Sequence, residues 1–560
     1  MVERARLESG GPGKTEPVGS NPTLQRCLMC LFAFHLVVGL EAPSASPQQR
    51  PATEPPVVRV TTRLVQANVI VLDKAGQPVS DLTKDDFLVQ DQGKTQTIST
   101  FLVTTNNVTE ENPTPLPPNT FSNRLAQQGK VPASISVILL DALNTNFQQQ
   151  TYAKEQVIRF LRQLRPQDRV ALYMLGSRLA VLHDFTTDAA ELVAALESYQ
   201  GHPSSKLAGS QHQNLDPSVK RALRASQSEA RLGFDLAGPM EALFEPMQAS
   251  YIRKRAELTS AALWAVANRL SGFPGRKNLV WVSSAFPVTQ EIAQILSKAG
   301  VAVYPVDAAG LVVYGSERHE GPYIDEDSTP GVVGNLGDRE GPAPAMETLA
   351  ERTGGRAFYN SNDLQGAIRQ AIDDSRVTYT IGFYPANTEW DGKFHKMKVE
   401  VRRPGVRIHT RLGYYAVADT TESEAERRAA ELREADRAPL DATGIGFTVT
   451  ADSSGPSGGN SALLRINISR QDVWLDSKDG HWNGAIEILY AQHAADGRLV
   501  AAWKDKLSLA LTPEIYKRAE QDGITLTKQL ALKPGINELR IAVRDANSGA
   551  IGTVTIPLVR

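Results

Sequence analysis

A chain of 560 residues with 41% hydrophobic and 22% charged residues has the composition of a folded protein of several domains, not of a disordered one. Lys+Arg 60 against Asp+Glu 62 leaves a formal net charge of −2, which gives no electrostatic case for binding nucleic acid. The two cysteines, Cys27 and Cys30, both precede residue 31, so a chain cleaved after them has no cysteine nucleophile, Cys-ligated zinc or disulfide.

In chain order, the apolar stretch Cys27–Leu40 comes first. Its 14 residues suit the core of a signal peptide and are too few for a membrane span. Arg26 supplies a positive flank and Ala42–Ser46 small residues for cleavage. Residues 1–46 are therefore expected to be a signal peptide and 47–56 a linker. The mature chain is expected to be exported to the periplasm, the cell surface or the medium, with no transmembrane span.

Short alternating runs then fill 57–103, among them Val69–Leu72, Phe87–Val89 and Thr97–Val103, with turns at Asp73–Gly76 and Asp91–Gly93. This spacing predicts an N-terminal β-sandwich-like domain. Residues 104–132 carry Pro113, Pro115, Pro117 and Pro118 and read as a Pro-rich linker.

From 133 the pattern alternates between continuous apolar strands and amphipathic helices. Strands are expected at Ile135–Leu140, Arg169–Leu175, Asn278–Ser283, Val301–Asp307 and Val377–Phe383. Helices are expected at 151–165, 188–199, 250–271, 288–299, 345–352 and 364–374. Such alternation predicts an α/β fold with a doubly wound, mostly parallel sheet over 133–417, interrupted by insertions at 201–247 and 308–344. Residues 418–440 read as a charged, solvated helical linker, with Glu424 placed to pair with Arg428. Runs such as Leu463–Ile468, Gly484–Tyr490, Leu507–Leu511 and Leu539–Val543 predict a second β-sandwich-like domain over 441–560.

Several motif matches fail on context. Gly10–Thr15 resembles the end of a phosphate loop but has Glu8 where the earlier glycine belongs. Gly455–Gly459 fits a nucleophile-elbow pattern without a strand or helix beside it. The nine histidines include no pair at metal-ligand helix spacing.

The informative residues lie where the predicted parallel strands end, the place where such sheets bind ligands. Leu139-Leu140-Asp141-Ala142-Leu143-Asn144-Thr145 closes the first strand. With Asp168–Tyr173, Pro274–Ser283, Val303–Asp307, Leu349–Gly355 and Tyr379–Tyr384, this resembles a von Willebrand factor type A (VWA) domain. More narrowly it resembles the VWFA-related family described from acidobacteria, and the segment from Val69 to Phe101 resembles that family's leading region. The resemblance implies a VWA/Rossmann-like fold and protein–protein adhesion. It also implies a divalent cation such as Mg2+, held by Asp-x-Ser-x-Ser, a loop threonine and a later aspartate.

On this sequence Asp141 matches the first ligand and Thr145 the second serine. Leu143 stands at the first serine, and Ser284 replaces the later aspartate. Thr259 is the nearest hydroxyl for the loop threonine. Asn144 and Asp307 are the remaining oxygen donors that could complete the site. One carboxylate with hydroxyls is a poor cage for Mg2+, so the adhesion site is degenerate. The competing reading makes Asp141 and Asn144 caps of the strand end and the following helix.

The expected function is that of an exported, non-catalytic protein-binding protein that presents this rim to a protein partner. The alternatives are a metal-assisted hydrolase at the same strand ends and a passive envelope scaffold.

Overall fold

The computed structural model describes residues 64–105, 116–124, 134–199, 237–311, 342–386, 390–416, 425–452 and 461–558, apart from positions 274 and 479, together with 7–9 and 332–333. The expected signal peptide and first linker fall outside these residues except for 7–9, as does most of both insertions.

The central sheet runs in the order β5–β4–β1–β2–β3, with β1 Ser134–Asp141, β2 Val170–Leu175, β3 Leu179–Thr186, β4 Arg276–Ser283 and β5 Val301–Asp307. The pairs β5–β4, β4–β1 and β1–β2 are parallel, whereas β3 is antiparallel to β2. Every residue of β1, β2, β4 and β5 is buried, which is why these strands read as continuous apolar runs. Among the described residues, parallel pairing between strands is confined to those three pairs, with one isolated parallel bridge between Val306 and Phe358. The molecule is therefore mixed α/β built on several sheets, most of them antiparallel.

Side-chain alternation sends the two faces of β1 into different cores. Ile135, Val137 and Leu139 pack with the helices α3 Ala237–Ser271, α4 Gln290–Lys298 and α5 Ala343–Thr353. Ile138 and Leu140 pack with α1 Phe147–Leu161, α2 Ala189–Ser198 and α6 Leu364–Asp373. At the C-terminus of α5, Gly354 takes φ +84°, and a Cβ on Gly355 would stand 1.8 Å from the Val303 carbonyl oxygen. Both glycines of the Thr353-Gly354-Gly355 turn are thus required by backbone geometry.

Four expectations are corrected. First, Val377–Phe383 does not join the parallel sheet; it pairs antiparallel with Val65–Leu72 and Ile98–Thr105. Its alternation of Tyr379, Ile381 and Phe383 with Thr378, Thr380 and Gly382 suits a strand with one apolar face. Second, residues 57–103 do not close a domain by themselves. Their strands share a core with Tyr379, Phe383, Met397 and Tyr414, and the Tyr379 hydroxyl accepts from Leu82 N and donates to the Val79 carbonyl.

Third, the stretch 104–132 is not all linker. Thr120–Ser122 pairs with Phe447–Asp452, and Asn123 donates to the carbonyls of Ala442 and Ile445 while accepting from Phe447 N. Fourth, the charged helix α7 Ala425–Arg437 is docked, not solvated. Leu432 and Ala435 are buried, Glu431 accepts from Arg544 Nε at 2.8 Å, and Asp436 meets His493 Nε2 at 2.9 Å. Its two apolar positions are three residues apart and so share one face. Glu424 lies outside the described residues.

Two further elements escaped the sequence reading. The edge strand β3 is half-exposed and follows a tight turn at Gly176–Arg178. Helix α3 begins at Ala237, inside the expected insertion 201–247, over the helix-forming run Met240–Glu245. In the C-terminal part, Phe447, Ile466, Tyr490, Ile541 and Val554 from two antiparallel sheets share one core.

Candidate functional site

The register of the central sheet sets its chemistry. Ser283 on β4 pairs with Asp307 on β5, and Val282 pairs with Leu140 on β1, one residue before Asp141. Asp141, Ser283 and Asp307 therefore end their strands along one rim. The loop after β1 is pinned to the end of β2 by Ala142 N and Leu143 N, which donate to the Leu175 carbonyl. Asn146 then caps α1 by accepting from Gln149 N.

Asp141 is buried and fully bonded. Its Oδ1 accepts from Asn144 N at 2.9 Å, and its Oδ2 accepts from Asn144 Nδ2 at 2.8 Å, Trp281 Nε1 at 3.0 Å and Ser283 Oγ at 2.9 Å. Burial pushes its carboxyl above the ordinary carboxylate range, against the pull of these donors. Asn144 extends the network: Nδ2 also donates to Thr259 Oγ1 at 2.9 Å, and Oδ1 accepts from Arg255 Nε at 3.2 Å.

The other candidates hold different partners. Thr145 Oγ1 accepts from Ser284 N at 3.2 Å, and Ser284 Oγ donates to Gln149 Oε1 at 2.6 Å. Leu143 packs into the hydrophobic core beneath the sheet. Asp307 turns its carboxylate to its own loop and accepts from Ala309 N at 2.8 Å. Thr259 lies inside α3, and its hydroxyl reaches Asn144 instead of an open loop position.

This donor set does not fit a divalent cation. Such an ion needs several oxygens with lone pairs converging on one point. Here Asp141 Oδ2 already accepts three hydrogen bonds, and N–H and O–H groups surround it. Among the described residues, no group of three His, Cys, Asp or Glu side chains gathers to hold a metal. Asp141 closes the turn at the strand end by accepting from Asn144 N and Nδ2, whereas the following helix is capped by Asn146 and not by Asp141 or Asn144.

Three of the network's residues were not picked out as ligands by sequence reasoning: Trp281, Ser283 and Arg255. Trp281 and Ser283 alternate on β4 and so face one side of it. Arg255 and Thr259 are four apart on α3, and that i,i+4 spacing was the available signal for a shared polar face.

Burial moves the Asp307 carboxyl from 3.8 up to about 6. The folded chain therefore favours the protonated form; the penalty for ionisation is complete above about pH 6 and fades as pH falls toward 3.8. A carboxyl moved this far costs up to about 3 kcal/mol when charged. Asp307→Asn, which keeps an acceptor for Ala309 N, should raise the unfolding free energy at pH 7.5, with the gain closing between pH 6 and 4. Urea titrations of both proteins across this range check it, and an equal gain at all pH values would exclude the ionisation penalty.

No family model matches the chain, and no curated protein matches it. Solved structures match parts of it. An aerotolerance-related membrane protein from Bacteroides fragilis is 16% identical, with a TM-score of 0.24, over 43% of this chain and 98% of that one. BatB from Bacteroides thetaiotaomicron is 15% identical, with a TM-score of 0.22, over 43% and 97%. The SpRpn10 VWA domain is 10% identical, with a TM-score of 0.20, over 42% and 95%. Each of these three matches covers less than half of this chain.

Proposed function

We propose that the chain is an exported, non-catalytic protein-binding protein whose partner docks on the strand-end rim of the central sheet. The observation that carries this is Phe147. It is the first residue of α1, immediately after the loop that holds Asp141, Asn144 and Thr145, and it is 73% exposed. A phenylalanine left this open beside a closed polar network is the kind of aromatic anchor that protein interfaces use. Leu311, four residues past the end of β5, is also exposed, at 59%. The apolar stretch Cys27–Leu40 supports export, and no helix among the described residues is long and apolar enough to cross a membrane.

Burial argues against chemistry at the rim. Ser283 is hydrogen-bonded to a carboxylate, as an activated nucleophile would be, but its exposure is 0%. No substrate reaches such a hydroxyl.

A crosslinked pull-down from the native envelope tests the proposal. Phe147→Asp should lower recovery of the partner by roughly tenfold or more, as removal of an aromatic anchor does. Leu499→Asp, on an exposed strand of the C-terminal part, should leave recovery unchanged. Equal recovery with Phe147→Asp would overturn the assignment of the rim.

A further inference from the structure

A carboxylate buried as deeply as Asp141 needs positive partners. In an ion-dependent rim, a bound metal supplies them. In this chain the positive group comes from α3. Arg255 donates from Nε to Asn144 Oδ1 at 3.2 Å, and Asn144 Nδ2 donates at 2.8 Å to Asp141 Oδ2. Asn144 thus stands between guanidinium and carboxylate with its amide dipole aligned to both charges. Thr259, one turn along α3, also holds this amide, at 2.9 Å; which end faces which charge is set by Asp141, which only accepts, and by Arg255, which only donates.

We infer that Arg255 is the resident cation of the strand-end rim: its guanidinium, acting through Asn144, balances Asp141 in place of a divalent ion, and the rim works without metal. The negative charge on Asp141 acts on Arg255 and opposes the effect of its burial. Arginine suits the task because it stays charged when buried and its planar fork holds a fixed direction. An incoming Mg2+ would have to displace three donors from Asp141 Oδ2 and sit close to a like charge, with hydroxyls as its remaining ligands. The consequence for recognition is that chelators leave docking at the rim unaffected.

The test uses the full chain and no partner, so its outcome is separate from that of the envelope pull-down. MgCl2, MnCl2 and CaCl2 are titrated calorimetrically into the wild type, and thermal melts are recorded in EDTA and in millimolar MgCl2. The wild type should give no saturable heat and the same Tm in both media. Arg255→Met should melt roughly 3–12 °C lower, the range expected when a hydrogen bond to a charged group is removed. Asp141→Asn/Arg255→Met should lose less than the two single losses added together. If Arg255→Met does not fold, Arg255→Lys, which keeps the charge but not the Nε bond, should fold and melt below the wild type, and a Tm equal to that of the wild type would overturn the inference. Saturable heat in the wild type that disappears in Asp141→Asn would overturn the inference. So would a Tm for Arg255→Met equal to that of the wild type.

Discussion

Asp141→Ala is expected to destabilise the central sheet by about 3–5 kcal/mol, the cost of removing one member of a buried, charge-bearing network. Four bonds to the carboxylate are lost, from Asn144 N, Asn144 Nδ2, Trp281 Nε1 and Ser283 Oγ. The Ser283 hydroxyl can turn to the Ala285 carbonyl and Asn144 Nδ2 keeps Thr259 Oγ1, but Asn144 N and Trp281 Nε1 are left unpaired. Each buried donor left unpaired costs about 1–3 kcal/mol before relaxation, so even partial rearrangement leaves a large deficit. Trp281 is fully buried and packs edge-on against Phe286 at 4.9 Å, which leaves its indole no route to water. Chemical denaturation of the purified variant checks this. A loss below about 1 kcal/mol, the typical net value of one hydrogen bond, would mean that the network does not hold the rim together.

The second large effect is expected at the other end of the chain. Arg544 is almost fully buried between Glu431 of α7 and Glu487, at 2.8 Å and 3.4 Å. Arg544→Ala removes the guanidinium shared by the two carboxylates and leaves the buried Glu487 with, among the described residues, only the half-exposed Lys504 at 3.6 Å as counter-ion. The expected loss is about 3–5 kcal/mol in the transition of the C-terminal part. Loosening of α7 should follow, because the Arg544–Glu431 pair is one of the contacts that dock it, beside buried Leu432 and Ala435 and the Asp436–His493 contact. Limited proteolysis reads this directly: new cuts should appear within 425–437. Unchanged stability and no new cuts would restore the solvated-spacer reading of that helix.

What the sequence disclosed about this fold depended on the range of the interaction. The strands β1, β4 and β5 were legible because burial on both faces leaves uninterrupted apolar runs, and Asp141 and Asp307 mark their ends. The docking of α7 was not legible. Its surface is mostly charged, and its burial rests on two apolar positions and on counter-ions more than 50 residues away. The sheet of Val377–Phe383 was not legible, because its antiparallel partners, Val65–Leu72 and Ile98–Thr105, lie more than 250 residues earlier in the chain. At the rim the local part, Asp141 with Asn144 and Thr145, could be read from seven consecutive residues. Arg255 could not, because it lies 111 residues from Asn144 in the chain, and only folding brings α3 across the strand ends.

The residue types explain why the donor set at the rim does not fit the divalent cation that the resemblance implies. A leucine at the first hydroxyl position packs inward, and Ser284 in place of an aspartate removes one negative charge. With one carboxylate left, internal donors satisfy it at lower cost than a partly dehydrated ion would. In the proposed docking, recognition falls to shape and to apolar side chains such as Phe147.

The most direct test of a rim closed by the protein's own donors is diffraction from crystals grown with MnCl2, with data recorded at the manganese absorption edge. The account predicts no anomalous peak within bonding distance of Asp141, and electron density that places Asn144, Trp281 and Ser283 on its carboxylate. A manganese peak bonded to Asp141 Oδ2, with those donors turned away, would contradict it.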